Sequence, residues 1–184
     1  ELNEVLLDGE PQTLSLIARP GRLTCLKGGS PQRLSRWLHA MMGFVVPRNG
    51  YISIDGEPLN EQTVAQFRRL MAFAPARLDV EGEVRRYAPP SVQDVFMLKA
   101  NREQPISNGI LGEEMRRISA DVPDDSVRLL AVAVLLDKPI LLVESAQAFM
   151  ADYLVRQARA GRVVVVTTAD ERVLAMADEV AELE

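Results

Sequence analysis

The stretch CLKGGSPQRLSRWLHAMMG, residues 25–43, has the residue types and order of a loop that holds phosphate. An apolar run ends at the pair Gly28 and Gly29, and helical spacing begins at once. In a strand–loop–helix of this kind, backbone N–H groups and the positive end of the helix bind the anion. Gly28, Gly29, Ser30 and Ser35 are the candidate loop contacts, and Arg33 and Arg36 are the cations within reach. Two features point the other way. No lysine closes the loop, and Pro31 in its middle donates no N–H and fixes φ. Serine followed by proline is also an ordinary helix start, with Ser30 as N-cap and Pro31 at the first helical position. On that reading a serine oxygen satisfies donors that a phosphate would otherwise occupy. Leu34, Leu38, Met41 and Met42 then form the core face of the helix, and this reading is favoured.

Other chemistries find few residues to work with. His39 is the single histidine, which removes a Ser/His/Asp arrangement away from it, and no Cys/His metal spacing occurs. Its default role is that of a satisfied core or surface side chain. Cys25 is the lone cysteine, set in an apolar run, so it reads as a small buried hydrophobe and no internal disulfide can form. A net charge of −5 argues against a broad nucleic-acid surface. No apolar run is long enough to cross a bilayer, and no signal-peptide pattern opens the chain.

The elements that must position the loop are legible in outline. The 184 residues, 47% apolar and 26% charged, suit one globular domain over 1–184. RLTCL, PILLVE (139–144) and GRVVVVTTAD (161–170) are continuous apolar runs, as expected of parallel strands buried on both faces. Helical spacing over 145–161 joins the last two as a crossover unit. Residues 1–24 and 50–56 break into short pieces separated by DGEP and RPG turns, which predicts an antiparallel sheet. Residues 84–136 read as mostly helical.

This order of pieces resembles the nucleotide-binding domain of ABC transporters over nearly the whole chain. The residues that carry the likeness are PRNGYISIDG (47–56), FRRLMAFAPA (67–76) and RLLAVAVLLDKPILLVES. The resemblance implies a P-loop NTPase-like α/β fold: a parallel sheet core, an antiparallel β subdomain and a reduced helical subdomain over roughly 84–136. It also implies a phosphate loop G-x-x-G-x-G-K-[ST], onto which Gly28 and Ser35 match. Pro31 and Arg33 stand at the other two glycines, and Leu34 stands at the lysine. At the end of the acidic strand, Glu144 takes the place of the Mg²⁺-holding Asp, and Ser145 that of the Glu acting on water. Ala76 replaces a glutamine, and the family's signature segment falls near ADVPD (120–124). No glycine occurs between 113 and 160 to restore its glycine pair. The switch histidine would fall near Ala169.

The resemblance therefore leads to the expectation of a non-catalytic ATPase-like subunit. It would be cytoplasmic, either docked through a membrane-spanning transporter subunit at the inner membrane or paired as a homo- or heterodimer with another ABC ATPase-type domain. No cofactor is expected. ATP and Mg²⁺ enter only on the alternative of an unconventional ATPase using Arg33 or Arg36 and Glu144, with Glu144 as a vestigial metal contact. A free-standing interaction module is the third reading. Ala76, Arg85, Arg86 and Tyr87 lie where the family's membrane-subunit interface would be.

Overall fold

The computed structural model describes residues 1–77, 106–121 and 125–184. Arg85, Arg86, Tyr87 and the first part of the expected helical subdomain, 84–105, lie outside the described residues, as do three residues of the ADVPD segment. The chain forms β1 (Leu2–Leu6), β2 (Leu14–Leu16), β3 (Leu23–Lys27), α1 (Pro31–Met41), β4 (Asn49–Ile54) and β5 (Glu57–Pro58). It continues through α2 (Val64–Arg69), β6 (Met71–Ala74), α3 (Asn108–Ile118), α4 (Asp125–Leu135) and β7 (Ile140–Val143). A 3₁₀ turn (Ala148–Met150), α5 (Ala151–Arg159), β8 (Val163–Thr167), α6 (Glu171–Met176) and β9 (Glu179–Glu182) complete it.

Two sheets result. One is antiparallel in the order β2-β1-β4-β5, and the other is parallel in the order β6-β7-β8-β3-β9. The apolar runs are continuous because the parallel strands are buried on both faces, and their alternate residues serve two cores. Leu26, Phe73, Leu142 and Val165 enter one core with Leu2, Val5 and Ile52 of the antiparallel sheet and Leu34, Trp37, Leu38 and Met41 of α1. Their neighbours Cys25, Ala72, Ala74, Leu141, Val143, Val164 and Val166 enter the other, against α3, α4, α5 and α6. Thus α1 shares its core with both sheets. Cys25 is fully buried, and that burial pushes its thiol up to about 12.

Two sequence expectations need correction. Leu23 and Thr24 do not join the antiparallel sheet; they begin β3, paired with β8 and β9. The helix expected over 145–161 becomes regular only at Ala151. Before it, the Ser145 N–H donates to Thr167 Oγ1 (2.8 Å) and the Ala146 N–H to the Thr167 carbonyl (2.8 Å), ties that hold the segment against β8. On the helical side, Tyr153 of α5 donates its hydroxyl to the buried Glu114 of α3, which also accepts from Arg117 at 2.9 Å.

Candidate functional site

The loop after β3 is a capped helix start. Ser30 is extended (φ −83°, ψ 157°), its Oγ accepts from the Arg33 N–H at 3.2 Å, and Pro31 opens α1. The Leu34 N–H donates to the Ser30 carbonyl at 3.0 Å, so the first turn is closed within the chain. Leu34, at the position matching lysine, is only 6% exposed and belongs to the core with Trp37 and Leu38.

Gly28 and Gly29 both have positive φ, +93° and +68°. Each is required by a different neighbour. A Cβ on Gly28 would lie 2.3 Å from the Leu183 carbonyl oxygen, where the chain passes just after β9. A Cβ on Gly29 would lie 2.8 Å from Cδ of Arg33, whose side chain runs close over this glycine.

That arginine is already engaged. Arg33 Nε and Nη2 donate to a single oxygen of Glu10, Oε2, at 2.8 and 2.6 Å. The Glu10 side chain is 2% exposed and that of Arg33 is 21% exposed. One turn along α1, Arg36 Nη2 donates to the Asp8 carbonyl at 2.8 Å. The sequence offers both arginines to an external anion; the fold gives both to the turn between β1 and β2.

The ends of β6 and β7 face the same loop. Glu144 Oε2 accepts from the Ala76 N–H at 3.0 Å, and the Glu144 N–H donates to the Ala74 carbonyl at 2.9 Å. The carboxylate thus ties together the chain segments that leave the two strands. Ser145 adopts φ +53°, in the left-handed region that a non-glycine residue enters only under constraint. Ser30, Arg33, Ser35, Arg36, Glu144 and Ser145 line a cavity of about 740 Å³, to which Ala76 also contributes.

His39 lines this cavity as well, from the third turn of α1. It is 4% exposed and makes edge contacts to Phe44 and Phe73, with ring centroids 6.5 and 5.9 Å away. Its Nδ1 is buried and has no hydrogen-bond partner among the described residues. The sequence reading of a satisfied histidine is therefore corrected: it is in the core, but one nitrogen is orphaned. Burial lowers its pKa, opposed in part by Glu144, so the ring is held neutral.

Ser30, Arg33, Ser35, Arg36 and Glu144, read from the sequence as loop and acidic-strand candidates, line one cavity, joined by Ala76, which the resemblance places at a partner interface; Gly28 and Gly29 line a neighbouring space. Sequence reasoning missed Glu10 and Thr167. Glu10 sits in a DGEP turn whose composition signals only the turn, and Thr167 closes a strand. Their partners are 23 and 22 residues distant, so no local pattern marks either. Ala169, near the position of the family's histidine, is exposed and lines a separate space beside Ser145 and Gly28.

The chain matches no protein-family model and no curated protein. Solved structures do match. A putative ABC transporter ATP-binding protein from Pyrococcus furiosus superposes with a TM-score of 0.71 at 14% identity, over 100% of this chain and 96% of that one. CbiO1 from Clostridium perfringens, part of the ABC transporter complex CbiONQ, gives 0.65 at 12% identity over 100% and 84%. A bacterial Atm1-family ABC exporter with ATP bound gives 0.67 at 16% identity over 100% of this chain and 36% of that one. At such identities the likeness speaks to architecture alone: this chain has the fold of ABC transporter ATP-binding subunits.

Proposed function

We propose that the chain is a non-catalytic ABC ATPase-like subunit, a structural or regulatory partner of a membrane transporter or of an active ATPase subunit. The observation that carries this reading is the internal closure of the phosphate loop. Ser30 takes the place of a ligand oxygen at the helix N-terminus, and Glu10 occupies the nearest guanidinium. Phosphoryl transfer depends on positioned charge around the transferring group. Leu34 supplies none, Ser145 cannot serve as a base at neutral pH, and Ala76 has no side-chain amide. Among the described residues no helix is long and apolar enough to cross a membrane, so attachment to a transporter would run through a partner.

Calorimetric titration with Mg²⁺·ATP at millimolar concentration, paired with a thermal-shift measurement, tests the reading. The expected result is no heat and no stabilisation. Saturable binding would overturn it, and turnover abolished by Glu144→Ala would establish the unconventional ATPase instead. Affinity purification from detergent-solubilised membranes tests the partner role. A stoichiometric membrane protein is expected, and reproducible isolation without one would favour a free-standing module.

A further inference from the structure

The two sheets part at the end of the parallel strands opposite the loop. Met71, Ile140 and Val163 open β6, β7 and β8, and with Leu2, Leu16 and Ile52 of the antiparallel sheet they line a cleft of about 520 Å³. Ile17, 42% exposed, stands at its mouth. Protein interiors hold few voids larger than a water molecule, whereas cavities of about 300–1,000 Å³ are the size of small-molecule sites. Water gains little here, because an ordered molecule needs about two to four polar partners. The one buried polar side chain of the lining, Ser53, is fully engaged by Glu1. Its N–H donates to the Glu1 carbonyl at 2.9 Å, its carbonyl accepts from the Glu1 amino group at 2.7 Å, and its Oγ donates to the Glu1 carboxylate at 3.3 Å. No buried side-chain oxygen or nitrogen of this lining is left without a partner among the described residues. The interior of the cleft therefore suits an apolar body.

The charges lie at the rim, on Glu1, Arg19 and Asp55, all exposed. Glu1 carries both signs and turns both to Ser53. Arg19 is paired with Glu179 at 3.6 Å. Asp55, in the turn between β4 and β5, makes no ion pair among the described residues. The unspent charge at the mouth is thus a carboxylate. We propose that the cleft binds a small organic cation, an apolar body carrying a protonated amine. The body lies between the two sheets, and the ammonium meets Asp55 at the rim. An anionic head group would have to take Arg19 from Glu179 in the presence of Asp55, and an uncharged one leaves Asp55 unused. The site is distinct from the loop. β3 runs parallel to β8, and β8 to β7, so the starts of these strands lie across the sheet from the C-terminal end of β3, where the loop begins. The proposal is independent of the non-catalytic reading, and each stands if the other fails.

The probes are butylamine, hexylamine and octylamine, with hexanol and hexanoate as matched uncharged and anionic compounds. Isothermal titration is run on the wild-type chain, on Asp55→Asn and on Ala18→Phe, which places a ring in the cleft from the segment after β2. In the wild type, affinity is expected to rise about fourfold for each added methylene, the gain of burying it against apolar walls. Asp55→Asn is expected to weaken hexylamine about two- to fivefold, the range of an exposed ion pair, and to leave hexanol unchanged. Asp55 is exposed, so this variant is read in a folded chain. Ala18→Phe is expected to remove the response to the whole series, and Ala18→Leu serves the same purpose should the larger ring not be accommodated. No saturable heat with millimolar octylamine would overturn the cleft as a site. Hexanol or hexanoate binding as tightly as hexylamine would overturn the cationic class. Hexylamine binding unchanged in Asp55→Asn and in the Ala18 variant would place the amine elsewhere and overturn the assignment.

Discussion

Gly28 matches the first glycine of a phosphate loop, but its neighbours give it a structural duty that can be measured. The backbone there has φ +93°, and an added Cβ would lie 2.3 Å from the Leu183 carbonyl oxygen and 3.2 Å from the Leu183 C and N atoms. All three are backbone atoms, so no rotamer change relieves the clash. The end of β9 must move, and with it the Leu183 N–H bond to the Lys27 carbonyl at 2.8 Å. For Gly28→Ala the left-handed backbone alone costs about 1–2 kcal/mol. The displaced hydrogen bond adds about 1 kcal/mol and partial exposure of the buried Leu183 adds about 1–2 kcal/mol, for a total near 3–5 kcal/mol. For a chain of this length that corresponds to a fall in Tm of roughly 6–20 °C. Gly29→Ala is the control. Its φ is +68° and the atom it meets is Cδ of a flexible arginine, so about 1–2 kcal/mol is expected. Urea unfolding of both variants, fitted for midpoint and slope, provides the comparison. Equal losses for the two alanines, or a loss below about 1 kcal/mol at Gly28, would refute the argument that strand closure fixes this glycine.

Three further outcomes follow from the same geometry. Ser30→Ala removes the oxygen that accepts from the Arg33 N–H and should cost about 1 kcal/mol in urea unfolding, with Ser30→Asp restoring it. His39 is held neutral by burial, so the native state binds fewer protons than the unfolded chain below the ordinary histidine value near 6.5. Its contribution is therefore intact above that pH and is lost as pH falls through it; His39→Gln should flatten the decline in unfolding midpoint between pH 7.5 and 5.5, and an unchanged slope would contradict the assignment. Tyr153→Phe leaves one oxygen of the buried Glu114 without its hydroxyl donor while Arg117 stays on the other, and should cost about 1.5–3 kcal/mol by thermal or urea unfolding.

What was legible in the chain divides along a physical line. The runs at 139–144 and 161–170 declare parallel strands because a strand buried on both faces needs apolar residues at every position, a requirement visible in one dimension. β9 is an edge strand, with Val180 and Glu182 exposed and Glu179 and Ala181 half-buried, so Glu179-Val180-Ala181-Glu182 gives no run to notice. The Ser30 cap was legible because donor and acceptor are three residues apart. Glu10 with Arg33, and Thr167 with Ser145, were not, because a hydrogen bond across more than 20 residues exists only once the sheets have formed. The burial of His39 likewise depends on Phe44 and Phe73 arriving from outside its helix.

The contacts that could not be foreseen bear most directly on the loop. At four positions of the loop and the strand ends where the resemblance implies phosphate chemistry, an internal contact stands. Leu34 is in the core, Arg33 is on Glu10, the Ser145 N–H is on Thr167, and the Ala76 N–H is on Glu144. A loop that had merely lost its ligand residues would leave polar groups needing water or ions, since buried donors and charges are costly without partners. Here Ser30 and Glu10 satisfy those groups from within, and the loop is stable as it is. His39 Nδ1 is the exception among these groups, a buried side-chain nitrogen of the cavity lining left without a partner among the described residues.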